Sequence, residues 1–159
     1  MKFIVSKKII DNRSLYVSVL WMLLFLVVAL GLSLVAKGID FGVTPAMWVN
    51  TVLGNEEEFI EPLLVSDLLL SLHTDLFGLI LVFILISALV VRTSRSKVLK
   101  IALLSAGIGS LLLYAIGLIA SLWIGSVAVM LSWCGFILFH LLMSVSSLDL
   151  LILLLRKKF

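Results

Sequence analysis

Two histidines, His73 and His140, and two carboxylates, Asp75 and Asp149, sit within or at the edges of long apolar runs of a 159-residue chain. If those runs cross a bilayer, each ionisable group costs about 2.5–3.5 kcal/mol near the centre, so each calls for a chemical reason. The histidines are the only two in the chain and fall in different runs. Two imidazoles on separate membrane helices most readily support axial ligation of a b-type haem, one nitrogen on each face of the iron. Depth decides whether they meet. His73 is 19 residues from Arg92 and His140 is 16 from Arg156, which as helix is about 28 Å and 24 Å from a basic boundary. That mismatch of ~4 Å is small enough for a shared ligand. The plainer reading leaves each imidazole near the headgroups, bonded to water, a carbonyl or a serine. Lys37 is moreover the one cation on that side for haem propionates.

The carboxylates admit two readings. His73 and Asp75 are two residues apart, about 200° around a helix, and cannot face one ion together. Glu56, Glu57, Glu58, Glu61 and Asp67 crowd the segment before them, which reads as a solvated acidic loop rather than a cation site. Asp149 lies about 10 Å in from Arg156, beside Ser144, Ser146 and Ser147. It suits a proton-accepting group or, more simply, an anchor for Arg92 or Arg95. A small ion or proton transporter would use Asp75 and Asp149.

These residues need elements to hold them, and composition dictates which. The chain is 63% hydrophobic and 13% charged, against roughly 25% charged in soluble domains. A water-soluble fold of this size cannot hide so much apolar surface. Cys134 is the one cysteine, so no internal disulfide forms and it reads as a small hydrophobe.

Four spans follow. Residues 15–36 carry no charge and extend about 33 Å as helix, close to the ~30 Å hydrocarbon core. A basic tail before an apolar run also describes a signal peptide, with Ala36 a weak cleavage position, but the run exceeds the roughly 7–15 residues of a signal core. Residues 68–91 form the second span, with Ser66 and Asp67 as expected caps. Between Lys100 and Asp149 lie 48 residues without Asp, Glu, Lys or Arg. They would make about 72 Å of helix, so they must fold back, and Gly125-Ser126 beside Trp123 supplies the turn. The third and fourth spans are then residues 98–122 and 127–155.

In the third span Gly109, Gly117, Ser121 and Gly125 recur at multiples of four, a face for close helix packing and the place a flat macrocycle would need. In the fourth, Trp133, Phe136, His140, Ser144 and Ser147 share a face that should point at other helices.

Basic residues set the orientation. Lys2, Lys7, Lys8 and Arg13 precede the first span, Arg92, Arg95, Lys97 and Lys100 join the second and third, and Arg156, Lys157 and Lys158 end the chain. Only Lys37 of the 12 falls on the other side, so both termini are expected in the cytoplasm. In the outer loop, residues 37–67, Thr44-Pro45 reads as a cap and first helical position. A short helix should follow, lying on the membrane surface with Met47, Trp48 and Val52 dipping into the interface.

The sequence thus predicts one all-α integral membrane domain over residues 1–159: a four-helix bundle, N-in and C-in, in a bacterial-type inner membrane, with a short outer-face helix. No nucleotide loop, paired cysteines or nucleophile constellation occurs, and nothing points to nucleic acid or to an enzyme. By elimination the expected role is a non-catalytic subunit or assembly factor of a membrane complex. Its partner would be another membrane protein or a second copy, met through the third and fourth spans. The rivals are an electron-transfer protein with haem b between His73 and His140, and the transporter.

Overall fold

The computed structural model describes residues 12–93 and 95–156, so Lys2, Lys7, Lys8, Lys157 and Lys158 lie outside the described residues. Within them the chain is helical: α1 (Arg13–Phe41), α2 (Pro45–Leu53), α3 (Val65–Arg92), α4 (Lys97–Ile124) and α5 (Ser126–Leu155). The four long helices each have the length and apolar character needed to cross a membrane.

Local chemistry explains the boundaries. Asn12 Oδ1 accepts from the Leu15 N–H at 3.2 Å, Thr44 Oγ1 from Met47 at 3.3 Å and Ser96 Oγ from Leu99 at 3.3 Å, satisfying donors that a helix start leaves free. The expected caps at Ser66 and Asp67 are corrected: α3 begins at Val65 just past Pro62, with Leu64 as its cap residue and no side-chain bond there. Asp67 falls instead in the first turn, where a negative charge still favours the helix dipole. At the far end of α3, Lys100 Nζ donates to the Val91 and Thr93 carbonyls at 2.8 and 2.6 Å.

One glycine makes the return between α4 and α5. Gly125 has φ +77° and serves as C-cap of one helix and N-cap of the next, a backbone state that side-chain-bearing residues adopt only at a cost. The two helices then run antiparallel at close range. A Cβ on Gly117 would stand 2.8 Å from the Ser132 nitrogen, and one on Gly135 would stand 2.5 Å from the Tyr114 nitrogen. Ser132 Oγ donates to the Tyr114 carbonyl at 2.8 Å. Small residues let backbones touch, which is how apolar helices associate when lipid offers no hydrophobic gain.

The face that α4 uses differs from the one read off multiples of four. Gly107, Ser110, Tyr114, Gly117 and Ser121 are buried, while Gly109 is exposed with open space around its Cβ position. Each four-residue step advances 400°, drifting 40° off a line, whereas alternating threes and fours hold one face.

Helix α5 is central and packs against all four others, whereas α1 and α3 do not pack closely on each other. Its face through Phe136, His140 and Ser147 is buried, with Trp133 and Ser144 half-buried at its margin.

The first span is longer than the uncharged run. α1 continues through Lys37 and Asp40 to Phe41. Helix α2 forms where Thr44-Pro45 predicts it, but Trp48 does not dip into an interface. It is 1% exposed, wedged among Phe41, Tyr114 and Phe136 with ring centroids 5.1, 6.4 and 5.5 Å away. Its indole N–H donates to the Gly42 carbonyl at 2.9 Å. Val52 is buried with it, while Met47 stays half-exposed. An aromatic that can bury its face against three rings and still satisfy its N–H gains more in the bundle than in headgroups.

Candidate functional site

The polar centre of the molecule lies beneath α2. In an α-helix each Cα–Cβ bond tilts toward the N-terminus. Lys37, near the end of α1, therefore leans into the bundle, and Asp75, ten residues into the antiparallel α3, leans back toward it. They meet: Lys37 Nζ lies 2.6 Å from Asp75 Oδ2 and donates to Ser71 Oγ at 2.8 Å. The Tyr114 hydroxyl donates to the same carboxylate oxygen, so α1, α3 and α4 converge on one atom. The ammonium also lies 3.8 Å from the Phe41 ring centroid, 5.6 Å from Trp48 and 5.8 Å from Tyr114. Carboxylate on one side and aromatic faces on the other replace its water. The Lys37 side chain is 4% exposed and that of Asp75 22%, so the lysine is sealed while the carboxylate keeps an open edge.

One helical turn deeper, buried His140 rests on Phe136 and Phe139 with ring centroids 4.1 and 5.9 Å away. Its Nδ1 is 2.9 Å from the Phe136 carbonyl and its Nε2 is 3.1 Å from Ser33 Oγ. A carbonyl oxygen only accepts, so Nδ1 carries the proton and, in the neutral ring, Nε2 accepts from the Ser33 hydroxyl. His73 takes no part, being exposed on another face of α3. Asp75 lies two positions on and is turned to the bundle. Thus the structure joins Asp75 to Lys37 and His140 to Ser33, and joins neither to His73.

At the opposite end Asp149 of α5 is paired with Arg95 of the α3–α4 connection, both side chains about two-fifths exposed. This is one of the two anchors that the sequence proposes. Of the serines beside it, Ser146 and Ser147 have buried hydroxyls without a hydrogen-bond partner among the described residues, as does Ser87 on α3. The acidic segment between α2 and α3 is exposed and turns tightly, with Asn55 and Ile60 bridging at 2.8 and 2.9 Å. Among the described residues no three His, Cys, Asp or Glu side chains are grouped to hold a metal ion.

Lys37, Tyr114 and Trp48 were missed as site residues, yet a signal for two of them exists. On α1 the buried positions 19, 23, 26, 30, 37 and 41 advance by threes, fours and one double step, and Lys37 falls in that stripe. On α4, Tyr114 stands midway between Gly107 and Ser121 on the buried face. A lysine in phase with leucines faces protein rather than water.

Comparison with known proteins adds one match. A family described as a transmembrane helical domain matches residues 42–159. No curated protein and no solved structure matches the chain. The matched segment holds Asp75, Tyr114 and His140 and begins just past α1, which supplies Lys37 and Ser33. The chain belongs to this family of transmembrane helical domains and is a multi-pass membrane protein.

Proposed function

We propose that this member of the transmembrane helical domain family is a non-catalytic subunit or assembly factor of a larger membrane complex, inserted with both termini in the cytoplasm of an inner membrane. The observation that carries the reading is how the intramembrane polar groups are used. Lys37 is matched by Asp75 and Asp149 by Arg95, and both His140 nitrogens are engaged within the chain. These groups fasten helices to each other, which is the work of a scaffold.

Partner contact would use surface that the bundle leaves open. The fourth span spends its small residues on the third, but Ser105 and Gly109 lie one turn apart on the exposed side of α4. That spacing permits close approach by a neighbouring helix, from a partner or a second copy. Such a chain purified in mild detergent should bring a membrane protein, or itself, at fixed stoichiometry. Gly109→Leu should release that companion without lowering the melting temperature. A stable, lone monomer from membranes at native expression would overturn the role.

The transporter reading keeps one observation in its favour, the unpartnered hydroxyls of Ser87, Ser146 and Ser147 between the two ion pairs. Buried orphan hydroxyls are places where water enters. An Asp149→Asn variant with reduced proton or cation flux in proteoliposomes would favour it. The haem reading rests on His73 and His140 approaching one iron, and the Ser33 hydroxyl now occupies the nitrogen that would ligate.

A further inference from the structure

Because α1 and α3 do not close on each other, a groove of about 280 Å³ runs between them, open on one side to the surroundings of the bundle. Its walls are apolar, among them Leu26, Leu30, Leu79 and Val82, with Gly78 leaving a gap where a side chain would stand. One end alone is polar, formed by Ser33, Thr74 and Asp75. From Asp75 to Leu85 the floor extends about 15 Å along α3, the run of a hydrocarbon chain. The volume lies just below the roughly 300–1,000 Å³ of most ligand sites, as suits a single slender chain.

The polar end has a definite hydrogen-bonding character. The Thr74 hydroxyl donates to the Leu70 carbonyl at 3.0 Å, and that of Ser33 is directed to His140 Nε2. Asp75 binds Lys37 and Tyr114 through Oδ2, and no described residue bonds Oδ1. What faces the groove is therefore lone pairs, with every proton already committed. A head lodged there must donate. An anionic head would meet a carboxylate. A cationic one would add a charge to a pair that Lys37 has already balanced, in a medium that screens poorly. A neutral donor meets neither cost.

We propose that the groove between α1 and α3 binds a neutral single-chain lipid with a hydroxyl head, which donates to Asp75 Oδ1 while its chain lies along Leu79, Val82, Leu30 and Leu26. The site does not depend on the scaffold reading, since it takes a small amphiphile whatever protein partner the outer helix faces meet. It gives a physical reason for the carboxylate's open edge: the lipid completes a hydrogen-bond set that the chain leaves unfinished, and it fills a seam that α1 and α3 leave ajar.

The test uses the full chain in phospholipid nanodiscs and a hexadecanol probe carrying a diazirine in its chain, with cross-linked peptides located by mass spectrometry. Labelling should saturate on the stretches 22–33 and 74–85. Unlabelled hexadecanol should compete about tenfold better than its methyl ether, which has no proton to give, because a lost hydrogen bond at a polar, water-poor site weakens binding by that order. Gly78→Phe should abolish the saturable label with melting temperature and elution unchanged, since a side chain there meets open space. If that variant fails to fold, Ala29→Phe on the opposite wall serves, and the alcohol-to-ether comparison on the unaltered chain stands without either. Label spread evenly over all lipid-facing helices, or equal competition by alcohol and ether, would overturn the proposal.

Discussion

Lys37 and Asp75 carry opposite charges but unequal risk. Lys37 sits one turn from the end of α1, and its four-carbon stem can carry the ammonium to the headgroups if the carboxylate is lost. Asp75 lies ten residues, about 15 Å, inside α3 and has no such exit. Lys37→Met should therefore be the more damaging single change, costing about 3 kcal/mol for a half-buried carboxylate left without its counter-ion. Asp75→Asn, which keeps a hydrogen-bonding oxygen, should cost roughly 1–3 kcal/mol. The double variant Lys37→Met with Asp75→Leu should recover much of the loss, because an apolar pair of similar volume replaces the ions. Denaturant titration in mixed micelles reads all three, and an Asp75 variant weaker than the Lys37 one would contradict the assignment of depth. By contrast Arg95 and Asp149 are both substantially exposed, so Arg95→Ala should shift stability by only about 0–1 kcal/mol in the same titration.

The pairing of α4 with α5 is decided by residues too small to show in a hydropathy profile. Gly117 and Gly135 face backbone atoms of the opposing helix, not flexible side-chain ends, so no neighbour can yield to a larger residue. Gly135→Val should cost about 1–3 kcal/mol by forcing the helices apart, whereas Gly109→Ala should stay within about 0.5 kcal/mol. Thermal unfolding of both variants in one detergent separates a packed glycine from an exposed one. Which glycines matter was only half legible in the sequence. Small residues along the third span predict close packing, but a spacing of four picks Gly109 in place of Gly107. The error comes from helix geometry, since 3.6 residues per turn moves every fourth residue around the axis. Trp48 was misplaced for another reason. Its amphipathic ring suits an interface in isolation, and only the presence of Phe41, Tyr114 and Phe136 on three different helices makes the interior better.

For the molecule as a whole, a lipid environment dictates that every long element be a helix with its backbone bonded internally. The basic connection between α3 and α4 and the acidic segment after α2 then lie at opposite ends. With Cys134→Ser as background, Glu58→Cys should react with an impermeant thiol reagent on intact cells and Ser96→Cys only after lysis. The reverse pattern would invert the proposed orientation. The central place of α5 also sets how the parts depend on one another. α1 rests mainly on α5 and α3 on α4 and α5, so the two are joined directly only by contacts such as the Lys37–Asp75 bridge, and the groove between them should widen when that bridge is cut.

The amino-acid order by itself determined the four crossings, a fold-back within residues 123–126 and the short helix after Thr44-Pro45, while the structure narrowed that fold-back to Gly125 alone. Each of these rests on local length, hydropathy or backbone preference and needs no knowledge of distant residues. The partners of the buried polar groups were beyond its reach. Lys37 and Asp75 are 38 residues apart and His140 and Ser33 107 apart. Their meeting depends on helix rotation and on which helix neighbours which, and both are set by the fit of side chains across the bundle. Only the tertiary structure turned a lysine read as part of an outer loop into the centre of the site, because burial of a charge is a property of what surrounds it.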